Sequence, residues 1–167
     1  DVYKRQELRN EIANAKERLI NSKRKTILFI DEVHRFTSVQ QDALLPSIEN
    51  GTVTFIGATT ENPFFAVNKA LVSRSRIFKL IPLNENDLKK IIKKVISYYA
   101  KLKDSKKVYL TEDAINHLIK FSAGDARTLI NALEMAIATT DENEAKEINI
   151  SLSIAEDAIQ TKNIVYD

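Results

Sequence analysis

The order of apolar and polar residues divides the chain into two parts. Up to about residue 82, short apolar runs typical of strands alternate with helical segments. After residue 82, every periodic segment has the three- and four-residue spacing of an amphipathic helix. We therefore predict an α/β part over residues 1–82 and an all-helical part over residues 83–167.

Three segments of the first part are predicted to be strands of a parallel sheet. The continuous apolar run Ile27–Ile30 is expected to be buried on both faces. Residues 52–60, TVTFIGATT, are rich in β-branched side chains and lead into an Asn-Pro turn. A third strand is predicted in RIFKLIPL, over Ile77–Leu80, and is closed by Pro82.

One helix is predicted before the first strand and another between the first and second strands. The first is expected over residues 6–21, where apolar residues recur every three or four positions. The second should begin at a cap on Thr37 or Ser38, kink at Pro46 and stop at Gly51. Its predicted apolar face consists of Val39, Ala43, Leu44 and Ile48.

The second part should contain four helices. They are expected over residues 85–101, after Thr111, over residues 125–139, and over residues 151–159. The acidic segment TDENEAKE is predicted to be a linker before the last of them.

Composition excludes several classes of site. The 25 basic residues nearly balance 23 acidic ones, so the net charge of +2 gives only a weak indication of a nucleic-acid partner. There is no cysteine, and two histidines are too few for a histidine-based metal site. Neither a membrane span nor a signal peptide is evident in the sequence, so we expect a cytoplasmic protein without a membrane partner.

Acidic and polar residues follow two of the predicted strands. Asp31 and Glu32 end the first strand, where one carboxylate can hold Mg²⁺ and the other can polarise a water. This is the Walker B arrangement, although two acids at a strand end can also be simple solvated turn residues. Thr59, Thr60 and Asn62 end the second strand and can orient a water against a phosphate, or form an ordinary turn.

Four stretches of the sequence together resemble one family. ILFIDEVHRF, QQDALLPSIENGTVTFIGATTENP, ALVSRSRIF and GDARTLINALE, in this order, resemble the replication-associated recombination protein A family of AAA+ ATPases, which includes the Werner helicase-interacting protein. The resemblance runs from about residue 7 to the end. It implies an α/β fold: an incomplete AAA+ P-loop NTPase parallel sheet, with the Walker B strand, the sensor-1 strand and the following strand, plus an α-helical lid domain.

The resemblance also implies roles for individual residues at the nucleotide. Asp31 would be the Walker B carboxylate that binds Mg²⁺, and Glu32 the catalytic base for ATP hydrolysis. Thr60 aligns with sensor 1, with Thr59 and Asn62 beside it. ATP and Mg²⁺ are thus the implied cofactors.

Two arginines complete the implied ATPase site. Arg74 matches an arginine finger that enters the nucleotide site of the adjacent subunit, although Arg76 is close enough to be confused with it. Arg127, in GDAR, matches sensor 2 on the lid. Without the family, Arg74 and Arg76 would read as an exposed basic turn, and Arg127 as a surface arginine at a helix start.

The remaining motifs are less specific. The sequence DEVH invites comparison with DExH helicases, but no helicase motif set follows, so His34 is expected to be structural or communicating. His117 is expected to be a packing or surface histidine on a lid helix. A basic stripe can be a DNA contact, but is more often the solvated side of a helix; it contains Lys89, Lys90, Lys93, Lys94, Lys101, Lys103, Lys106 and Lys107.

No P-loop of the form GxxxxGK[ST] occurs, and the three glycines are too far apart for a degenerate one. The family order puts that loop upstream and an oligomerisation domain downstream, so we expect a central fragment. In the family sheet the P-loop strand lies between the sensor-1 strand and Ile77–Leu80, so the isolated chain should be poorly stable and inactive as an ATPase.

The function implied for the intact protein is that of a DNA-dependent AAA+ ATPase in replication-fork maintenance, recombination and repair. Implied partners are DNA forks, single-strand ends or gaps, single-strand DNA-binding protein and further copies of the chain, in a nucleoid-associated location. The alternative is a non-hydrolysing, clamp-loader-like adaptor, which has no chemical need for Glu32 or Arg74. A generic P-loop helicase is disfavoured by GDAR and the lid pattern.

Overall fold

A computed structural model describes residues 2–102 and 107–164, with side chains described for residues 6–102 and 107–160. The chain forms two compact units, Asp1–Lys79 and Leu80–Asp167. None of the helices in the described ranges is long and apolar enough to cross a membrane.

The first unit is built around a short parallel sheet. Strands β1 (Thr26–Ile30) and β2 (Val53–Gly57) pair in register from Thr26 opposite Val53 to Ile30 opposite Gly57. A single 3₁₀ turn, Val33–Arg35, follows β1. In chain order the elements are α1 (Val2–Ser22), β1 (Thr26–Ile30), α2 (Ser38–Asp42), α3 (Leu45–Glu49), β2 (Val53–Gly57), α4 (Pro63–Ala66) and α5 (Lys69–Ser73).

Only one face of this sheet is covered by the described residues, and the prediction of a strand buried on both faces is wrong. Ile30 and Val33 pack with Leu8 of α1 and with Leu44, in a cluster that excludes water. On the opposite face Ile27 and Phe29 are 66% and 61% exposed. Alternate side chains of a strand point to opposite faces, so covering one face leaves the other apolar and open.

The segment after the 3₁₀ turn forms two short helices and not one kinked helix. Thr37 caps α2 through a capping box with Gln40, which is the predicted cap position. The break falls between Asp42 and Leu45, because Pro46 has no N–H to donate to the carbonyl four residues earlier. Leu44 is buried as predicted, whereas Val39 is exposed, since the break rotates α2 away from a common apolar face.

The predicted third strand, Ile77–Leu80, is not a strand. These residues adopt no regular element, and Phe78 and Leu80 are 76% and 91% exposed. A strand requires a neighbour for its N–H and C=O groups. Within the described ranges β1 and β2 pair only with each other, so nothing is available to pair with this segment.

The second unit is mainly helical, but the prediction that it is entirely helical is wrong. Two short strands, β3 (Lys107–Leu110) and β4 (Glu147–Ile150), form a parallel pair from Lys107 opposite Glu147 to Leu110 opposite Ile150. The linker TDENEAKE leads directly into β4. In chain order the elements are α6 (Glu85–Lys101), β3 (Lys107–Leu110), α7 (Glu112–Ser122), α8 (Ala126–Thr139), β4 (Glu147–Ile150) and α9 (Leu152–Ile164).

These strands form because their apolar side chains complete the core of the unit. Val108, Ile148 and Ile150 are buried against helical residues such as Leu118 and Leu133. Four-residue strands are too short to show a clear period in the sequence. The predicted helices over residues 85–101 and 125–139 are confirmed, and the last one, α9, is longer than predicted.

Candidate functional site

The carboxyl ends of β1 and β2 are held together by backbone hydrogen bonds. The amide of Ala58 donates to the carbonyl of Ile30, and the amide of Val33 donates to the carbonyl of Ala58, each at 2.9 Å. The loop after β1 is therefore locked beside the loop after β2. This places the acids of one strand end next to the polar residues of the other, where parallel sheets commonly bind ligands.

Asp31 and Glu32 lie in the tight turn that leaves β1. Glu32 has a left-handed backbone, with φ 52° and ψ 46°, which is unfavourable for a residue with a side chain. Two contacts hold it there: its amide donates to Oδ1 of Asp31 at 3.0 Å, and its carbonyl accepts from the amide of Arg35 at 2.9 Å. The turn thus fixes where both carboxylates leave the backbone.

His34 joins the acid at one strand end to the hydroxyl at the other. Its Nδ1 lies 2.8 Å from Oγ1 of Thr59, and its Nε2 lies 3.2 Å from Oε2 of Glu32 and 3.6 Å from Oε1 of Glu61. Its side chain is only 12% exposed. This ring therefore connects the two halves of the site.

The other polar residues after β2 have different surroundings. Thr60 is exposed immediately after Thr59. The side-chain oxygen of Asn62 accepts from the amide of Phe64 at 3.1 Å and so caps α4. That oxygen already has a structural contact, whereas Thr60 is an exposed residue.

The candidate arginine fingers lie after α5, and each is held within the first unit. The guanidinium of Arg74 forms an ion pair with Glu49 at 2.7 Å and donates to the carbonyl of Ala70 at 3.0 Å. The guanidinium of Arg76 lies 5.7 Å from the ring centre of Phe78. Arg74 therefore sits outside the cluster of Asp31, Glu32, His34 and Thr59 in its own unit.

Arg127 lies at the start of α8 in the second unit, and its neighbour Asp125 builds that start. Oδ1 of Asp125 accepts from the amides of Arg127 and Thr128 at 2.7 Å and 3.4 Å. These backbone hydrogen bonds favour the charged carboxylate and hold the pKa of Asp125 below its ordinary value of 3.8. The side chain of Arg127 is exposed.

The carboxylates of the site fit a nucleotide-bound Mg²⁺ better than a protein-only metal cage. Mg²⁺ in such sites takes one or two carboxylates and completes its shell with waters and phosphate oxygens. Among the described residues no group of three or more His, Cys, Asp and Glu side chains could hold a metal ion. Asp31 is exposed at the strand end, with only one of its carboxylate oxygens engaged by the described residues.

Sequence reasoning missed Glu61 and understated His34. Both residues lie in stretches that carry the family resemblance, ILFIDEVHRF and FIGATTENP, but no spacing in the sequence pairs them, because they come together only where the two strand ends meet. A usable signal was present in the sequence: His34 follows the apolar run that ends at Ile30 by four positions, and Glu61 follows the run that ends at Ile56 by five.

Two family profiles match the chain. Residues 3–84 match the ATPase family associated with various cellular activities (AAA), and residues 103–167 match the AAA C-terminal domain. The first range contains both strand ends described above. The second covers most of the second unit.

Several named proteins are similar over most of this chain. Replication-associated recombination protein A of Escherichia coli K12 is 43% identical over 129 residues, which is 77% of this chain and 29% of the relative. The protein of the same name from Haemophilus influenzae is 42% identical over 147 residues, 87% of this chain and 33% of the relative.

A eukaryotic protein is similar as well. ATPase WRNIP1 of Dictyostelium discoideum is 43% identical over 144 residues, 83% of this chain and 16% of the relative. The chain therefore spans a third or less of the length of these relatives. By its two profile matches and these identities, the chain belongs to the AAA ATPases, in the group of replication-associated recombination protein A and WRNIP1.

Proposed function

We propose that this chain provides the Walker B and sensor-1 part of the ATP-hydrolysing site of a DNA-dependent AAA+ ATPase that acts in replication-fork maintenance, recombination and repair. One observation carries the proposal: Asp31 and Glu32 leave β1 directly beside Thr59 and Thr60, and backbone hydrogen bonds lock the two strand ends together. The names of the relatives support replication and recombination as the setting.

The residues of this site divide the chemistry between them. Asp31 would bind Mg²⁺, which supplies charge neutralisation at the transferred phosphoryl group. Glu32 would accept the proton of the attacking water, because its carboxylate is fixed by the turn and partly shielded from solvent. Thr60, an exposed residue, would orient that water or the terminal phosphate through its hydroxyl, with Asn62 at the edge of the site.

The arginines would link hydrolysis to assembly. Arg74 would act in the nucleotide site of a neighbouring copy, where a planar guanidinium stabilises charge developing in the transition state. To do so it would exchange its ion pair with Glu49, which is half exposed and therefore costs little to break. Arg127 would contact the nucleotide from the helical lid, from a position fixed by the Asp125 cap.

A non-hydrolysing adaptor is the second candidate function. An adaptor would have no chemical need for Glu32 or Arg74, and the chain contains both. These two residues therefore favour the hydrolytic function.

DNA is the proposed partner, and the exposed face of α6 is the proposed contact. Lys93, Lys94 and Lys101 line an open concavity of about 330 Å³ together with Ser97 and Tyr98. Within the described ranges these three lysines have no acidic side chain within 4 Å, whereas Lys89 and Lys90 pair with Glu112 and Asp87.

Unpaired lysines attract phosphates, and an exposed tyrosine can stack on a base. Lys103 and Lys106 of the predicted stripe lie outside the described residues. Single-strand DNA-binding protein, further copies of the chain and a nucleoid-associated cytoplasmic location complete the proposal, with no membrane partner.

Replacement of Glu32 by Gln tests the proposed function directly. In the complete protein encoded by the gene that contains this sequence, Glu32→Gln should preserve ATP binding and lower turnover by about 100-fold or more, the usual range for loss of a general base. Arg74→Ala should lower turnover more than nucleotide affinity. The 167-residue chain by itself, which has no P-loop, should not hydrolyse ATP.

The adaptor function would be supported instead if the complete protein binds ATP but the wild type and Glu32→Gln show the same negligible turnover. Equal losses of binding and turnover in Arg74→Ala would contradict a role in a neighbouring site. Mixing Arg74→Ala with Glu32→Gln subunits provides the check, because a trans-acting arginine restores some activity in mixed assemblies.

A further inference from the structure

The ring of His34 is placed to control the orientation of the Glu32 carboxylate. It is the one side chain among the described residues that contacts both Glu32 and a residue after β2. The carboxylate of Glu32 also lies 3.6 Å from Nε of Arg35, but that guanidinium is 72% exposed and screened by water. The less exposed imidazole, at 3.2 Å, is therefore the stronger constraint on Glu32.

The hydrogen-bonding capacities around the ring assign a direction to this link. Both groups facing Nε2 are carboxylates, which only accept hydrogen bonds, so Nε2 must carry a hydrogen to satisfy them. In the neutral ring Nδ1 is then an acceptor, and the hydroxyl of Thr59 can donate to it. The same Oγ1 accepts from the amide of Glu61 at 3.1 Å, which orients its own hydrogen toward Nδ1.

This chain of contacts joins the two halves of the site in one line. The backbone of Glu61 orients the Thr59 hydroxyl, the hydroxyl orients the imidazole, and the imidazole holds the carboxylate of Glu32. Thr60, the residue proposed to sense the phosphate, follows Thr59 directly in the chain. A displacement at the end of β2 would therefore move the ring and, with it, the carboxylate.

We propose that His34 is a positioning residue for ATP hydrolysis, which holds the Glu32 carboxylate in its reactive orientation and ties that orientation to Thr59 at the end of β2. The inference rests on the proposed function, because it assumes that Glu32 is the base. His34 itself does not touch the reacting atoms in this role. It acts through Glu32, as an orienting group acts on a catalytic acid or base.

The test compares four variants in the complete protein. His34→Ala and Thr59→Val should each lower kcat by about 10- to 100-fold, as expected for a misplaced catalytic group. Their KM for ATP should stay within about twofold of the wild type, because neither residue binds substrate. Thr59→Ser, which keeps the hydroxyl, should retain kcat, and His117→Ala, on α7 of the second unit, serves as the control histidine.

The double variant His34→Ala/Thr59→Val separates a shared pathway from independent damage. If both residues act through Glu32 along one line, the double variant should lose no more kcat than His34→Ala alone. Losses that multiply would overturn the inference, and so would a retained kcat in Thr59→Val. Thr59→Val differs from the wild type by one hydroxyl-to-methyl exchange, so it remains informative even if His34→Ala does not fold.

A structural measurement tests the link without reference to turnover. In protein labelled with ¹⁵N-histidine, the His34 ring, assigned by its absence from His34→Gln, should show the hydrogen on Nε2 in the neutral form. Thr59→Val should shift the Nδ1 resonance, whereas Thr59→Ser should not. A neutral ring with its hydrogen on Nδ1 in the wild type would contradict the proposed direction.

The proposed function and the positioning role of His34 can be refuted separately. If Glu32→Gln has wild-type turnover, the proposed function is wrong whatever His34 does. If Glu32→Gln abolishes turnover while His34→Ala and Thr59→Val leave kcat unchanged, the base is confirmed and the positioning role of His34 is refuted.

Discussion

Replacing Gly124 by Ala should destabilise the second unit more than a glycine in a turn usually does. Gly124 links α7 to α8, and its backbone has φ +88°, a conformation that side chains disfavour. A Cβ added there would lie 2.5 Å from Cβ of Pro82 and 3.1 Å from the backbone N and O of Leu83. These are rigid atoms, and the amide of Leu83 also donates to the carbonyl of Gly124 at 3.0 Å.

The magnitude follows from two separate costs. The left-handed backbone costs an alanine about 1–2 kcal/mol. Forcing an extra methyl group into a filled space costs about 1–3 kcal/mol, so the free energy of unfolding should fall by about 2–5 kcal/mol in total. For a unit of this size each kcal/mol lowers Tm by about 4–8 °C, which makes the expected fall at least about 8 °C.

Gly51→Ala is the matched control in the first unit. Gly51 has a similar φ of +71°, but an added Cβ would meet no atom within 4 Å. It should therefore incur the backbone cost alone, partly offset because alanine also restricts the unfolded chain. The difference between the losses of unfolding free energy in the two variants measures the cost of the contact with Pro82 and Leu83.

Thermal unfolding followed by circular dichroism gives the Tm of both variants. Hydrogen exchange with mass spectrometry reports the stability of each unit separately. Gly124→Ala should lower the stability of the second unit and leave exchange in the first unit unchanged. If Gly124→Ala and Gly51→Ala lower the stability of their units equally, the turn relaxes freely around the methyl group. The atoms of Pro82 and Leu83 would then not resist an added methyl group at position 124.

Two further predictions concern the start of α8 and the basic face of α6. Because its pKa is lowered, Asp125 contributes stability that is present above the ordinary value of 3.8 and is lost as pH falls through the lowered pKa. Asp125→Ala should thus destabilise the second unit near pH 7. The difference in the free energy of unfolding between Asp125→Ala and the wild type should become smaller in acid, which urea unfolding at several pH values would measure. Asp125→Asn keeps a capping oxygen, so its free energy of unfolding should be close to that of the wild type near pH 7. If Asp125→Ala lowers the free energy of unfolding by the same amount at all pH values, the charge of Asp125 does not contribute to the cap. Lys93→Gln/Lys94→Gln should weaken binding of a fluorescent single-stranded oligonucleotide. The slope of the logarithm of the binding constant against the logarithm of the salt concentration should become shallower by about 1.4, the value for two lost phosphate contacts. Lys89→Gln/Lys90→Gln is the control of equal charge, because those lysines are ion-paired; equal weakening by both pairs would argue for general attraction and against a site on this face.

Long periodic segments could be predicted from the sequence because local patterns determine them. The helix Glu85–Lys101 has the bounds expected from its spacing, and Thr111 and Asp125 cap the next two helices. Each has an apolar stripe several turns long and a capping side chain in place, which are local properties. The acids after β1 and the hydroxyls after β2 could be predicted because each group directly follows its strand in the sequence.

The wrong predictions concern features that depend on distant partners. Residues 77–80 have the composition of a strand, but a strand exists only where another backbone pairs with it. Val108 and Ile148 lie in segments too short to show a periodic pattern. They form a sheet because pairing buries their side chains in the core of the second unit. The burial of Ile27 and Phe29 depended likewise on what covers the sheet.

The sequence by itself determined the family, the helices of the second unit and the residue types of the candidate site, because motifs and helical periods depend only on residues close together in the sequence. Only the tertiary structure decided which of those residues act together. The ring of His34 reaches Thr59, 25 positions away, because β1 and β2 pair in parallel and end side by side. Strand pairing is a long-range choice governed by the whole core, so no local pattern could specify that contact.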